Sequence, residues 1–146
     1  MAAQVSSSRS IEIEALPEVV WDVLTGFADW PQWNPEVKSM SFDGPVEPGS
    51  SFRWKAGPGT IVSTLEEVDP PRLVRWRGKT LSIDALHEYR LELRAGSTHV
   101  ETEETFSGLL ARLMSGSLQK TLDRTLQQGL EYLKAESERR ATPLLN

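Results

Sequence analysis

One stretch decides the fold, residues 87–106, which read HEYRLELRAGSTHVETEETF. Apolar and polar side chains alternate on both sides of Gly96-Ser97, the pattern of two antiparallel strands joined by a two-residue turn. With that pair at the centre of the turn, Leu91 and Val100 share one face and the charged side chains share the other. Because a sheet with one apolar face buries that face, the leucine face must point toward a core.

Three polar side chains fall on the apolar face of this hairpin: His87, Tyr89 and Glu104. In the register that the turn indicates, Tyr89 lies directly opposite Glu104, and His87, opposite Phe106, lies one diagonal step away. An ionised carboxylate is costly to bury alone, so Glu104 must meet a hydrogen bond, a cation, water or a proton. We therefore predict a cavity in which these three side chains form a polar anchor, and they are also the candidate catalytic residues.

The chain after the hairpin is typical of a long amphipathic helix. Leucines and one methionine recur at spacings of three and four from Leu109 to Leu133, over about seven turns. This stripe predicts one helix that buries a single apolar face. Gly116 indicates a bend near its start.

Ahead of the hairpin, the sequence predicts a strand at Ser10–Glu14 and a short helix from Pro17 to about Gly26. Asp29–Pro35 contains two prolines, so we expect an ordered loop there, held in place by its tryptophans. Short connections between the later strands imply an antiparallel meander, with strands at 37–42, 51–55, 60–68, 73–77, 81–94 and 98–106.

Composition excludes several kinds of site. The chain has 146 residues, no cysteine and two histidines, which excludes thiolate chemistry, disulfides and a histidine-rich metal centre. Its formal net charge of -5 provides no basic surface for nucleic acid. No apolar stretch approaches the ~18 residues of a membrane span. We expect a cytoplasmic protein, a monomer or homodimer, with no cofactor, no metal and no nucleic-acid partner.

The order of the elements leaves one packing arrangement for these apolar surfaces. A strand, a short helix, an antiparallel meander and a long helix form an α+β fold when the twisted sheet curves around the long helix. A straight helix cannot lie flush on a curved sheet along its whole length, so space opens between them. The side chains expected to line that space are Trp33, Trp54, Trp76, His87, Tyr89, Leu91, Thr102, Glu104, Phe106, Leu118, Leu122 and Leu126.

Several segments resemble a known superfamily. Its opening is similar to PEVVWDVL at 17–24 and DWPQWNP at 29–35, and its later part to LVRWRG at 73–78, HEYRLEL at 87–93 and TEETFSGLL at 102–110. The chain is identified as a member of the START/Bet v 1-like (SRPBCC) superfamily, in its bacterial polyketide cyclase/dehydrase-like branch. The resemblance implies a helix-grip fold, a seven-stranded antiparallel sheet wrapped around a long C-terminal helix, with a hydrophobic pocket between them.

The resemblance covers one domain, which we place at 9–138, with flexible termini at 1–8 and 141–146. Three functions follow as expectations. The first is binding or carriage of a hydrophobic small molecule, such as a lipid, polyketide or aromatic metabolite. The second is a cofactor-free cyclase or dehydratase, in which His87 removes a proton and Tyr89 or Glu104 stabilises the oxyanion. The third is a protein-interaction domain of the co-chaperone type.

Overall fold

The chain folds into one antiparallel sheet and a set of helices. The computed structural model describes residues 5–57 and 59–142. Their strands pair in the order β1-β7-β6-β5-β4-β3-β2. The strands are β1 Val5–Ile13, β2 Ser39–Phe42, β3 Ser51–Lys55, β4 Thr60–Asp69, β5 Leu73–Thr80, β6 Ile83–Arg94 and β7 Ser97–Ser107. The helices are α1 Pro17–Thr25, a 3-10 turn Phe27–Asp29, α2 Trp30–Trp33, α3 Leu109–Leu113 and α4 Ser115–Ala141.

The long helix α4 lies against one edge of the sheet. Its contacts run mainly along β1, the edge strand, and against α1, with few to β7. The stripe that faces inward is buried at Leu122, Leu126, Leu130 and Leu133. The predicted α+β helix-grip arrangement, seven antiparallel strands with a long C-terminal helix, is confirmed. We call the sheet face under α1 and α4 the inner face.

The C-terminal helix is broken at a residue that the sequence did not indicate. Met114 leaves the helical conformation, with φ -119° and ψ 29°, and separates α3 from α4. Its N–H still donates to the Leu110 carbonyl, and its own carbonyl accepts from Leu118. The predicted bend at Gly116 is therefore wrong, since that glycine lies inside α4.

The first strand is longer than its sequence pattern indicates. It begins at Val5, because Val5 and Ser7 point inward and pair with Phe106 and Glu104 on β7. The predicted flexible segment 1–8 is thus wrong for its last four residues, which belong to the sheet. The predicted flexible segment 141–146 is wrong for Ala141, which ends α4 and packs against the core. Residues 1–4 and 143–146 of the predicted termini lie outside the described residues.

The proline-rich segment after α1 contains a single helical turn where a loop was expected. Pro31 occupies the first turn of α2, a position that needs no N–H donor and suits the fixed φ of proline. The Trp30 indole N–H donates to the Leu24 carbonyl at 2.9 Å. The Trp30 ring is buried among Phe27, Phe52 and other aromatic rings of the core, so it has a structural role.

Candidate functional site

The β6–β7 hairpin sets the positions of the candidate residues, and its turn lies one residue earlier than predicted. Ala95 and Gly96 occupy the centre, with φ values of 51° and 86°. Positive φ at both central residues defines a type I′ turn, whose twist matches that of the flanking strands. The predicted pairing of Tyr89 with Glu104 is therefore wrong: Tyr89 faces Thr102. A slip of two residues keeps every side chain on its predicted face, because the side-chain period is also two.

In the observed register, His87 and Glu104 are direct partners across the strands. They belong to a row that crosses the inner face from strand to strand: Ser7 on β1, Glu104 on β7, His87 on β6, Trp76 on β5 and Leu65 on β4. His87, Tyr89 and Glu104 are thus neighbours, as predicted, but the residues that pair directly across the strands differ from the predicted ones. Sequence reasoning missed Ser7, because the first strand was expected to begin after it.

A chain of two hydrogen bonds determines which ring nitrogen of His87 carries the proton. Nε2 lies 2.8 Å from Thr102 Oγ1, and that hydroxyl donates to the Glu88 carbonyl at 3.0 Å. A hydroxyl has one proton to donate, so Thr102 must accept from His87. Nε2 therefore carries the hydrogen, and Nδ1 of the neutral ring presents a lone pair.

That lone pair faces Glu104. The Nδ1 and Oε2 atoms are 3.6 Å apart, which is beyond a hydrogen bond. Burial raises the pKa of Glu104 from 4.5 to about 8 and lowers the pKa of His87 from 6.5 to about 3. Water reaches 17% of the Glu104 side chain, which limits the size of its rise without changing the direction. Both shifts favour a neutral imidazole beside a protonated carboxyl group at neutral pH.

Tyr89 and Trp76 close the apolar side of this pair. The His87 ring is 4.7 Å from the Tyr89 ring and 5.0 Å from the Trp76 ring, between centroids, and Trp76 stacks on Tyr89 at 5.7 Å. Burial and the neighbouring Glu104 raise the pKa of the Tyr89 phenol, which a hydrogen bond with Thr102 partly offsets. Tyr89 therefore stays protonated at any physiological pH.

Ser7, Glu104 and His87 lie between two separate apolar clusters of the interior. On one side, Val5, Leu122 and Leu126 form a small cluster, with Phe106 and Leu118 packed against it. On the other side lies the main core, which includes Leu130 and Leu133 of the same helix. Val5 and Phe106 pair with each other, two residues along β1 and β7 from the Ser7–Glu104 pair. The buried polar groups thus lie at a boundary between two apolar regions.

The eight tryptophan, leucine and phenylalanine side chains among the predicted lining residues separate into two groups. Trp76, Leu91, Leu122 and Leu126 are buried in the apolar clusters. Trp33, Trp54, Phe106 and Leu118 are only half-buried, although they pack against those clusters. The second group therefore borders space that solvent reaches.

Small side chains join the half-buried residues across the inner face. Trp54 donates from its indole N–H to Ser63 Oγ at 3.1 Å, and Ser63 pairs with Gly78, which pairs with Ala85. Ala85 in turn pairs with Phe106. We call Ser63, Gly78 and Ala85 the small-residue row; Ser63 and Gly78 are buried, and Ala85 is half-buried. Sequence reasoning missed it, since its members come from three strands and meet only through the register.

Two hollows on the described chain lie away from the His87–Glu104 pair. One of about 490 Å³ lies on the outer side, along Ser8, Ser10, Glu88, Arg90 and their neighbours. The other, about 220 Å³, lies at the β2–β3 edge and includes Trp54 and Met40. Neither is lined by His87 or Glu104, so the predicted cavity around the polar anchor does not coincide with either hollow.

Two further features bear on the kind of site. Among residues 5–57 and 59–142, no group of three or more histidine, aspartate and glutamate side chains is arranged to hold a metal ion. Within the same residues, no helix combines the length and apolar character needed to cross a membrane.

Comparison with known proteins identifies relatives of this arrangement. A family model described as polyketide cyclase/dehydrase and lipid transport matches residues 4–138. Among curated proteins, none matches the chain at a significant level.

Solved structures share the fold at low sequence identity. An aromatase/cyclase, Zhui from Streptomyces sp. R1128, has a TM-score of 0.79 and 18% identity, over 94% of this chain and 95% of that one. A START superfamily protein from Mycobacterium smegmatis has a TM-score of 0.73 and 15% identity, over 92% and 97%. A protein from Thermus thermophilus has a TM-score of 0.81 and 16% identity, over 94% and 99%. At these identities the likeness establishes the fold alone.

Proposed function

The chain belongs to the polyketide cyclase/dehydrase and lipid transport family, and on that premise we propose that it binds a small hydrophobic molecule against the inner face of its sheet. One observation carries the proposal. His87 and Glu104 form a neutral polar pair between two apolar clusters, where a packed core would have apolar side chains. A few polar groups within apolar surroundings are typical of small-molecule sites.

The partly exposed end of the small-residue row, at Ala85, supplies the surface on which such a molecule would lie. Ala85 and Phe106 are half-buried and adjacent to the His87–Glu104 pair along β6 and β7. The helix α4 packs mainly along β1, so Phe106 contacts its Leu122–Leu126 cluster while Ala85, on β6, lies farther from the helix. An apolar ligand would cover these side chains and place a polar group near Glu104.

The protonation states favour binding over proton abstraction. A general base works best when its pKa lies near the working pH, and burial lowers the pKa of His87 to about 3. At neutral pH the imidazole is therefore a weak base, although it accepts hydrogen bonds well. These properties suit a positioning group for a ligand.

A cofactor-independent cyclase or dehydratase is the second candidate, and Glu104 is the observation that favours it. A carboxyl group with its pKa raised to about 8 is protonated at neutral pH and can donate to a developing oxyanion or leaving group. Tyr89, also protonated, lies beside the same pair. In this reaction Glu104 would be the acid. His87, whose pKa is lowered by burial, is less suited to its predicted role as the base.

The experiment measures binding of the neutral probe Nile red by its fluorescence, with one variant that enlarges the side chain at Ala85. Ala85→Phe adds a ring on the inner face and should weaken binding by about tenfold or more. Leu86→Phe is the matched control, since its side chain lies on the opposite face of the same strand, and it should leave the affinity unchanged. Equal affinities for wild type and Ala85→Phe, both folded by circular dichroism, would contradict the proposal.

Native mass spectrometry of the purified protein separates the candidate functions. A co-purified small hydrophobic molecule supports binding. Conversion of that molecule during incubation, lost in Glu104→Gln, supports catalysis. A complex with another protein and no bound molecule supports the protein-interaction function instead.

A further inference from the structure

The gap between His87 and Glu104 has a definite hydrogen-bonding character. Nδ1 offers a lone pair, because Nε2 holds the ring's only proton in its bond to Thr102. Oε2 is 3.6 Å away, and no hydrogen bond to the Glu104 carboxyl group is found in the described part of the chain. Two neighbouring polar groups are thus within reach of one further atom.

From this geometry we infer that the site takes a neutral ligand with a hydroxyl group, a phenol, enol or alcohol, whose oxygen lies between His87 Nδ1 and Glu104. The inference rests on the proposed function and adds the chemical class of the ligand. A single oxygen can lie about 2.8–3.0 Å from each of two atoms that are 3.6 Å apart. Its proton is donated to Nδ1, and its lone pair accepts from the protonated carboxyl group.

Other polar groups complete this pattern less well. An ether or a ketone oxygen can accept from Glu104 but has no proton for Nδ1. A carboxylate also lacks a proton, and it would bring a negative charge to a buried region. Arg9, on the inner face two residues along β1 from Ser7, pairs its guanidinium with Asp123 at 3.5 Å. Of these oxygen groups, the hydroxyl satisfies both partners without a net charge.

The surrounding rings favour a hydroxyl on a flat, unsaturated skeleton. Tyr89 and Trp76 are stacked beside the pair, and Phe106 lies half-buried on the other side along β7. Offset and edge contacts between rings stabilise a bound aromatic ring beyond the burial of its apolar area. An aromatic or enolic hydroxyl therefore fits both the polar gap and its walls.

The test compares three naphthalenes that differ only in their polar group: 2-naphthol, 2-methoxynaphthalene and 2-naphthoate. Isothermal titration at about pH 6.5 keeps the naphthol neutral and the naphthoate ionised. We expect 2-naphthol to bind about tenfold more tightly than its methyl ether, which leaves Nδ1 without a donor. The naphthoate should bind more weakly still.

Two histidine variants test whether His87 causes the preference for 2-naphthol over its methyl ether. His87→Phe removes the acceptor and should bring the affinities of 2-naphthol and the methyl ether to within about twofold of each other. His99→Phe is the matched control, since His99 is the chain's other histidine, lies on the outer face beside Glu12 and should leave the ratio unchanged. If His87→Phe does not fold, the ¹⁵N shift of Nδ1 in the wild type should change on addition of 2-naphthol and stay constant with the ether.

The outcomes distinguish this inference from the proposed function. Equal binding of 2-naphthol and 2-methoxynaphthalene, or binding of Nile red with neither naphthalene, overturns the hydroxyl inference and leaves the proposed function standing. Failure of every probe, Nile red included, overturns both. Tighter binding of the naphthoate than of the naphthol also overturns the inference.

Discussion

His87 Nδ1 lies 3.6 Å from Glu104 Oε2, at the centre of a row of side chains that crosses the inner face of the sheet. Both groups are neutral at neutral pH, because burial raises the pKa of the carboxyl group to about 8 and lowers that of the imidazole to about 3. Each shift ties the stability of the fold to pH, and the two act in opposite directions.

Glu104 makes the folded chain less stable as the pH rises. Its pKa is about 8 when folded and near the ordinary 4.5 when unfolded, so the folded chain holds a proton that the unfolded chain releases. His87 acts in the opposite sense between about pH 3 and pH 6.5, because in this range the unfolded chain binds a proton at His87 that the folded chain does not bind. The two effects oppose each other from about 4.5 to 6.5, and Glu104 alone remains from 6.5 to about 8.

We therefore expect the free energy of unfolding to be nearly constant between about pH 5 and 6.5 and then to fall by at most about 2 kcal/mol up to about pH 8. Glu104→Gln should remove the fall above about pH 6.5. His87→Gln should extend the fall down to about pH 5. Urea denaturation at several pH values measures all three profiles. A wild-type profile that does not fall above about pH 6.5 would contradict the neutral pair.

The inner stripe of α4 holds the helix on the sheet. Leu130 is 0% exposed, so Leu130→Ala should lower the free energy of unfolding by about 2–5 kcal/mol, through lost burial and the cavity left behind. Leu113→Ala, at a position that is 72% exposed, should change it by less than about 0.5 kcal/mol. Chemical denaturation compares them, and similar losses for both would show that the stripe is wrongly placed.

Two glycines should respond in opposite ways to alanine. Gly108 has φ 105°, and a Cβ atom there would lie 2.4 Å from the Ser82 carbonyl oxygen, so Gly108→Ala should destabilise the fold by about 2 kcal/mol or more. Gly129 lies inside α4, and a Cβ atom there would meet nothing within 4 Å. Gly129→Ala should raise the free energy of unfolding by about 0.5–1 kcal/mol. Melting temperatures of the two variants should therefore move in opposite directions.

The tryptophans of α2 differ in their hydrogen bonds. The Trp30 indole N–H donates to the Leu24 carbonyl, and Trp30→Phe should cost about 1–3 kcal/mol because that buried carbonyl loses its donor. The Trp33 indole nitrogen is buried and has no partner among the described residues, so Trp33→Phe removes an unpaired donor and should cost less. Urea denaturation of the two variants tests the order. A larger loss for Trp33→Phe would contradict it.

Much of the fold could be predicted from local pattern. The alternation on either side of Gly96 placed His87, Tyr89 and Glu104 on the inner face, and the spacing of the leucines indicated the helix stripe. Both patterns follow from the fixed side-chain periods of strands and helices, which depend only on local backbone geometry. The single turn of α2 could have been expected from the preference of proline for the first turn of a helix.

The arrangement of the site could not be predicted in this way. A hairpin slip of two residues leaves every side chain on the same face, so alternation cannot distinguish Thr102 from Glu104 as the partner of Tyr89. The choice depends on the left-handed conformation of Ala95, which a sequence without glycine at that position does not indicate.

Local sequence pattern was thus enough for the longer strands and helices, for their apolar faces and for the inward direction of His87, Tyr89 and Glu104, because short-range backbone geometry decides these. The tertiary structure alone decided that His87 faces Glu104, that Ser63, Gly78 and Ala85 meet across three strands, and that α4 packs on β1. These features depend on strand register and on helix packing, which are set by many contacts between residues that are distant in the sequence.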